Sequence, residues 1–200
     1  MKRIAILVSG RGSNFEAIAR NISAGRLDAE IACVLSNQPE AAALETANSL
    51  GLNAISLPSK GVDTDVYAEQ VCAALAPLNV DLICLAGFMR RVGKPLLDQY
   101  AMRILNIHPS LLPSFPGLHV QLQALEYGVK FSGCTVHFVD SGLDTGPIVS
   151  QAAVPVLDTD DADTLAARIL VEEHRIYSDA IALVLGGSFR IDGRRVVAAP

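Results

Sequence analysis

Through the first half of the chain, short runs of aliphatic and β-branched residues alternate with longer stretches whose apolar positions recur at helical spacing. Arg3 to Val8 reads as a strand, and Asn14 to Ile22 as a helix entered from a glycine turn. Glu30 to Ser36 is a second strand, with a helix from about Glu40 to Leu50. Ala54 to Leu57 is a short third strand, Asp63 to Leu75 a helix, and Val80 to Ala86 a fourth strand apolar enough to be buried on both faces. This rhythm predicts the α/β class, with a doubly wound, mostly parallel sheet.

After Gly87 the periodicity loosens. Ile104 to Ile107 is a strand that runs into His108-Pro109-Ser110-Leu111-Leu112-Pro113-Ser114-Phe115-Pro116-Gly117, where the prolines forbid regular structure and stiffen a loop. Gln121 to Tyr127 reads as a helix. Gly133 to Val139 and Ile148 to Val156 are two further strands joined by Asp140-Ser141-Gly142-Leu143-Asp144-Thr145-Gly146-Pro147. Asp163 to Leu185 is the longest helix, opened by acidic residues that suit its dipole. Phe189 to Val197 forms a hairpin with its turn at Asp192-Gly193, so the C-terminal strands are mixed in direction. No repeat or low-complexity linker interrupts residues 1–200, which predicts one domain.

Composition narrows the functional classes. Half of the 200 residues are apolar, which suits one compact core. The formal net charge of −5 gives no general field for nucleic acid or an anionic membrane, so an anionic ligand needs a local device. The apolar run Ile4 to Val8 is too short for an export signal, and Leu82 to Met89 is too short to span a bilayer. The expectation is a soluble, cytoplasmic protein. Cys33, Cys72, Cys84 and Cys134 form no Cys-x-x-Cys pair and have apolar neighbours, so they read as buried small hydrophobes. No two histidines stand at i, i+4, and no metal is expected.

Ser9-Gly10-Arg11-Gly12-Ser13-Asn14 lies between the first strand and the first helix, where backbone N–H groups and a helix N-terminus can receive an anion. No Gly-Lys-Ser/Thr follows, and Phe15 stands where a dinucleotide fingerprint wants its third glycine. A single phosphate on a small molecule is one reading. A tight turn capped by Ser13 or Asn14 is the other, and the loop alone does not choose between them.

Asn106 and His108 are two apart at a strand end, so the amide and the imidazole point to one side. A neutral donor beside an imidazole suits an oxygen that becomes negative during acyl transfer. Asp144, in a loop of the kind that follows a strand, could accept a proton from an attacking amine, directly or through water. Spacing alone does not bring Asp144 to His108. A serine hydrolase built on Ser110, His108 and Asp144 is disfavoured, because Ser110 sits in a proline-rich loop and no Gly-x-Ser-x-Gly elbow occurs. An amide, an imidazole and a carboxylate without a nucleophile fit direct transfer between bound substrates. His137 alternates with apolar residues and reads as a buried, satisfied side chain; His119 could line a pocket entrance.

Several stretches together resemble the phosphoribosylglycinamide formyltransferases, folate-dependent enzymes of purine synthesis. They are Ser-Gly-Arg-Gly-Ser-Asn at 9–14, Leu-Ala-Gly-Phe-Met-Arg at 85–90, Ile-Leu-Asn-Ile-His-Pro-Ser-Leu-Leu-Pro at 104–113, Leu-Asp-Thr-Gly-Pro at 143–147 and Glu-Glu-His-Arg-Ile-Tyr at 172–177. The Asn-x-His-Pro-Ser-Leu-Leu-Pro stretch with its later aspartate is shared with methionyl-tRNA formyltransferases and formyltetrahydrofolate hydrolases. The remainder of the chain and its acidic charge favour the purine enzymes.

The resemblance implies the formyltransferase version of the Rossmann-like fold, with a ribonucleotide-binding half at 1–100 and a folate-binding, catalytic half at 101–200. It implies Asn106, His108 and Asp144 as catalytic residues, and Gly12, Ser13, Asn14 and Glu173 for the ribonucleotide. It implies Met89, Arg90, Arg91 and Val92, with Asn106, Asp140 and Asp144, for 10-formyltetrahydrofolate as co-substrate. No nucleic acid or membrane partner follows, and the expected state is monomer or homodimer. Thr64 departs from the family, which often carries an arginine there for the folate tail.

Overall fold

A computed structural model describes residues 1–199, except for the side chain of Ala198. The chain divides into two compact units, residues 1–105 and 106–200.

The first unit is built on strands β1 (Lys2–Val8), β2 (Ala29–Ser36), β3 (Ala54–Ser56) and β4 (Leu82–Leu85). β1 lies parallel to both β2 and β4, and β2 is parallel to β3. Helices α1 (Ser13–Ser23), α2 (Ala42–Ser49) and α3 (Thr64–Leu75) connect them, the arrangement expected when every strand must cross over to a parallel neighbour. The strands are apolar because both faces are covered: Ile4 to Val8 and Leu82 to Leu85 are buried throughout. Asp63 starts α3 by accepting hydrogen bonds from the backbone of Asp65 (2.8 Å) and Val66 (3.2 Å).

Helix α4 (Lys94–Gln99) was not anticipated from the sequence. Its six residues are too few to show periodicity, although Pro95 in the first turn is a usual helix opener. Gly93 sets its position. A Cβ there would stand 2.6 Å from the Thr64 carbonyl and 2.8 Å from Ala68 Cβ, so only glycine lets α4 approach α3 this closely. Lys94 N–H then donates to Asp65 at 2.8 Å.

Strand β5 (Ile104–His108) carries the chain into the second unit. There β6 (Phe131–Phe138) and β7 (Ile148–Pro155) pair antiparallel. The hairpin β8 (Phe189–Asp192) and β9 (Arg195–Ala198) joins through β9, which runs parallel to β7. Helices α5 (Val120–Tyr127) and α6 (Ala162–Gly186) complete the unit, and α6 packs on β6 and β7. A capping box begins α6: Asp161 accepts from Thr164 N–H at 2.8 Å, and Thr164 Oγ1 accepts from Asp161 N–H at 2.9 Å. The expected α/β class, the mostly parallel central sheet and the mixed C-terminal strands are all present. Cys33, Cys84 and Cys134 are buried as expected, but Cys72 on α3 is only half-buried.

Candidate active site

The second unit draws four polar side chains together from two strands and a loop. Asn106 and His108 come from β5, two residues apart on one side. His137 comes from β6, and Asp144 from the loop that joins β6 to β7. Asp144 has φ +53°, a left-handed conformation that short polar residues tolerate better than most. Its Oδ2 accepts a hydrogen bond from Gly117 N–H at 2.9 Å. The same oxygen lies 3.6 Å from His108 Nδ1, while Oδ1 lies 3.7 Å from His137 Nε2. The carboxylate thus stands between two imidazoles, within ion-pair range of each and in hydrogen-bond contact with neither.

Proton positions follow from which atoms can only accept. His137 Nδ1 is 2.8 Å from the Phe138 carbonyl, so Nδ1 carries the hydrogen. Nε2 then accepts from the Asn106 amide, 3.2 Å away, which fixes that amide with its nitrogen inward. Burial holds His137 below the usual histidine pKa, overriding the opposite pulls of the Phe138 carbonyl and of Asp144. His108 Nε2 is 3.0 Å from the Phe115 carbonyl and carries a hydrogen for the same reason, which turns Nδ1 toward Asp144.

The proline-rich loop is tied down by Thr135 on β6. Its hydroxyl donates to the Ser110 carbonyl (2.7 Å) and accepts from Leu112 N–H (3.0 Å) and Gln151 Nε2 (3.0 Å). Gln151 also donates to the Leu112 carbonyl at 2.9 Å. Ser110 is buried, and its hydroxyl is directed at the carbonyls of Ser114 and Phe115, at 2.7 and 3.0 Å. That hydroxyl is engaged as a structural donor, in keeping with the rejection of a serine hydrolase. His137 is the residue that strand alternation undervalued. It is buried and satisfied as expected, yet its partner is Asn106. Thr135 and His137, two polar residues two apart on the buried strand β6, were the available signal.

In the first unit, Gly12 occupies the N-cap of α1 with φ +83° and no side-chain cap. Neither Ser13 nor Asn14 caps the helix, contrary to the turn reading. Both are its first residues, with Asn14 buried. A Cβ on Gly12 would stand 2.6 Å from Ala43 Cβ, so glycine is required by packing as well as by φ. No side chain caps the first turn of α1, the kind of helix start at which an anion can be received.

Met89 and Arg91 are exposed beyond β4, and Val92 is half-buried. The Arg90 side chain is committed elsewhere. It donates to the carbonyls of Ser59 (3.0 Å), Val62 (2.6 Å) and Asp63 (3.0 Å), and its guanidinium carbon lies 4.7 Å from the centroid of the Tyr67 ring. In the second unit, Glu173 is buried on α6, Asp140 is exposed and closes its own turn with Gly142 and Thr145, and His119 is exposed at the start of α5. Among the described residues there is no cluster of histidine, cysteine or acidic side chains able to hold a metal, and no helix long and apolar enough to cross a membrane.

Residues 2–181 match the family model for formyl transferase. The chain is 41% identical over 187 residues to phosphoribosylglycinamide formyltransferase of Bacillus subtilis, covering 93% of this chain and 96% of the relative. It is 47% identical over 190 residues to the trifunctional purine biosynthetic protein adenosine-3 of Drosophila melanogaster, of whose length it spans 14% while 94% of this chain is covered. Its fold matches the crystal structure of glycinamide ribonucleotide transformylase 1 from Symbiobacterium toebii with a TM-score of 0.97 and 48% identity, covering 100% of this chain and 95% of that one. With matches of this extent in both sequence and fold, the chain belongs to the formyl transferase family.

Proposed function

We propose that this chain transfers the formyl group of 10-formyltetrahydrofolate to the amine of 5'-phosphoribosylglycinamide, in the cytoplasm, as a step of de novo purine synthesis. The products are phosphoribosyl-N-formylglycinamide and tetrahydrofolate. The observation that carries the reading is the cluster of Asn106, His108 and Asp144, which offers an amide donor, an imidazole and a carboxylate 3.6 Å from that imidazole. The names of the relatives point to the same formyl acceptor.

In this reading the amine attacks the formyl carbon, the bond from that carbon to the folate nitrogen breaks, and the amine's proton passes to the departing nitrogen. Asn106 donates to the formyl oxygen as it gains charge, using the amide nitrogen that His137 orients. His108 shares that oxygen, and Asp144 accepts the amine proton directly or through water. Removal of one such donor typically costs about 100- to 1,000-fold in rate. Holding two substrates in register supplies roughly 7–11 kcal/mol at best.

Gly12, Ser13 and Asn14 take the ribonucleotide phosphate at the start of α1, and Glu173 contacts the same substrate. Met89, Arg90, Arg91 and Val92 serve the folate, with Asn106, Asp140 and Asp144. Arg90 contributes its main chain, because its guanidinium already serves three carbonyls.

A steady-state assay with both substrates tests the proposal. Formylation dependent on the ribonucleotide is expected; release of formate without it would make the protein a hydrolase instead.

A further inference from the structure

The turn after β4 hangs from the first residue of the glycine loop. Ser9 N–H donates to the Gly87 carbonyl at 3.0 Å. The Ser9 hydroxyl donates to Asn37 Oδ1 at 2.5 Å and accepts from Met89 N–H at 2.7 Å. Asn37 is buried and is itself held: its Nδ2 donates to Ser59 Oγ at 3.1 Å, and its carbonyl accepts from Ser59 N–H at 3.3 Å. The Ser59 carbonyl accepts from Arg90 at 3.0 Å. A closed polar circuit therefore runs from Ser9 through Asn37 and Ser59 to Arg90, and back through Met89. All its members lie within residues 1–105.

The direction of each bond is settled by chemistry. Asn37 Oδ1 can only accept, so the single hydroxyl hydrogen of Ser9 is committed to it. The Ser9 oxygen is left with lone pairs, which meet Met89 N–H. A serine hydroxyl otherwise turns to suit its surroundings; here Asn37 locks it as an acceptor for the turn.

We propose that Ser9 is a positioning residue for the folate: its hydroxyl, locked by Asn37, presets the main chain of Met89 and Arg90 to receive the pterin-bearing substrate. This rests on the assignment of Met89–Val92 to the folate. Without the hydroxyl, the turn keeps its Gly87 and Arg90 anchors but must be ordered when folate binds. The glycine loop is untouched beyond Ser9, so the ribonucleotide is unaffected.

Ser9→Ala and Ser9→Thr test this, with calorimetric affinities for tetrahydrofolate, both KM values, kcat and melting temperature. Loss of one hydrogen bond to the turn is expected to weaken tetrahydrofolate binding and raise the folate KM about fivefold. The ribonucleotide KM and kcat should stay near wild type, while the melting temperature falls modestly because Ser9→Ala leaves the buried Asn37 Oδ1 without its donor. Ser9→Thr, which restores the hydroxyl at this half-buried position, should return the folate values to wild type. The proposal is overturned if folate affinity is unchanged in Ser9→Ala, if both KM values rise together, or if Ser9→Thr fails to rescue. Wild-type protein that binds tetrahydrofolate but formylates nothing would sink the proposed activity while leaving the Ser9 comparison intact. Wild-type protein that binds no folate would sink both.

Discussion

His137 shows how one buried side chain can set the chemistry of another. It is neutral because burial lowers its pKa, and neutrality is what lets Nε2 accept from Asn106. Protonation would put a hydrogen on Nε2, turn that contact into two donors facing each other, and draw the ring toward Asp144. The unfolded chain binds this proton first as pH falls, so the contribution of His137 to stability is full above the ordinary histidine value of 6.5 and is lost on descending through the folded value. Urea unfolding followed from pH ~7.5 to ~5 should show wild type losing stability relative to His137→Gln; parallel curves would contradict the neutral assignment. In kinetics, His108→Ala and Asp144→Asn should each lower kcat by about 100-fold or more while ribonucleotide affinity stays nearly intact. A variant that kept most of its turnover would remove that residue from the proposed roles.

At the level of elements, the β6–β7 connection is what delivers Asp144, and Gly146 governs it. A Cβ on Gly146 would lie 1.8 Å from the Phe138 carbonyl, the same oxygen that holds His137. Gly146→Ala must therefore push the connection off the end of β6. Thermal denaturation should show a loss of about 1–3 kcal/mol, as for other overpacked sites, together with a fall in kcat larger than the stability loss explains. Most elements were legible in the sequence because each repeats its period several times: the apolar runs of β1, β2 and β4, and the helical spacing of α3 and α6. Helix α4 was not, since Gly93 and its fit against Thr64 and Ala68 place it. Asn106 and His108 could be read as a pair because two-residue spacing within one strand is local geometry. The approach of Asp144 could not, because it depends on a positive φ and on Gly117 N–H, 27 residues away in sequence. That His137 is buried and satisfied was legible, but its partner was not, for the same reason: Asn106 lies 31 residues away, on another strand.

For the whole molecule, the proposed reaction makes stability a readout of occupancy. A ligand that binds only the folded chain at one hundred times its dissociation constant adds about 2.7 kcal/mol. The ribonucleotide and tetrahydrofolate should therefore each raise the melting temperature separately. A rise with folate but none with ribonucleotide would argue against Gly12–Asn14 as the phosphate site. The acidic net charge does not oppose such a site, because a helix N-terminus such as that of α1 acts on an anion at short range, where the general field is screened.

The left-handed backbone at Asp144 limits which residues the position can hold before catalysis selects among them. Asparagine and glycine accept that conformation, and β-branched residues resist it. A library randomised at this codon should therefore split into two classes under separate screens for soluble yield and for turnover. Asparagine and glycine variants should fold and turn over slowly, while valine and isoleucine variants should be lost at the first screen. The asparagine variant keeps an oxygen for Gly117 N–H and gives up only the charge. Under the proposed roles it should hold both substrates together while turning them over at least about 100-fold more slowly.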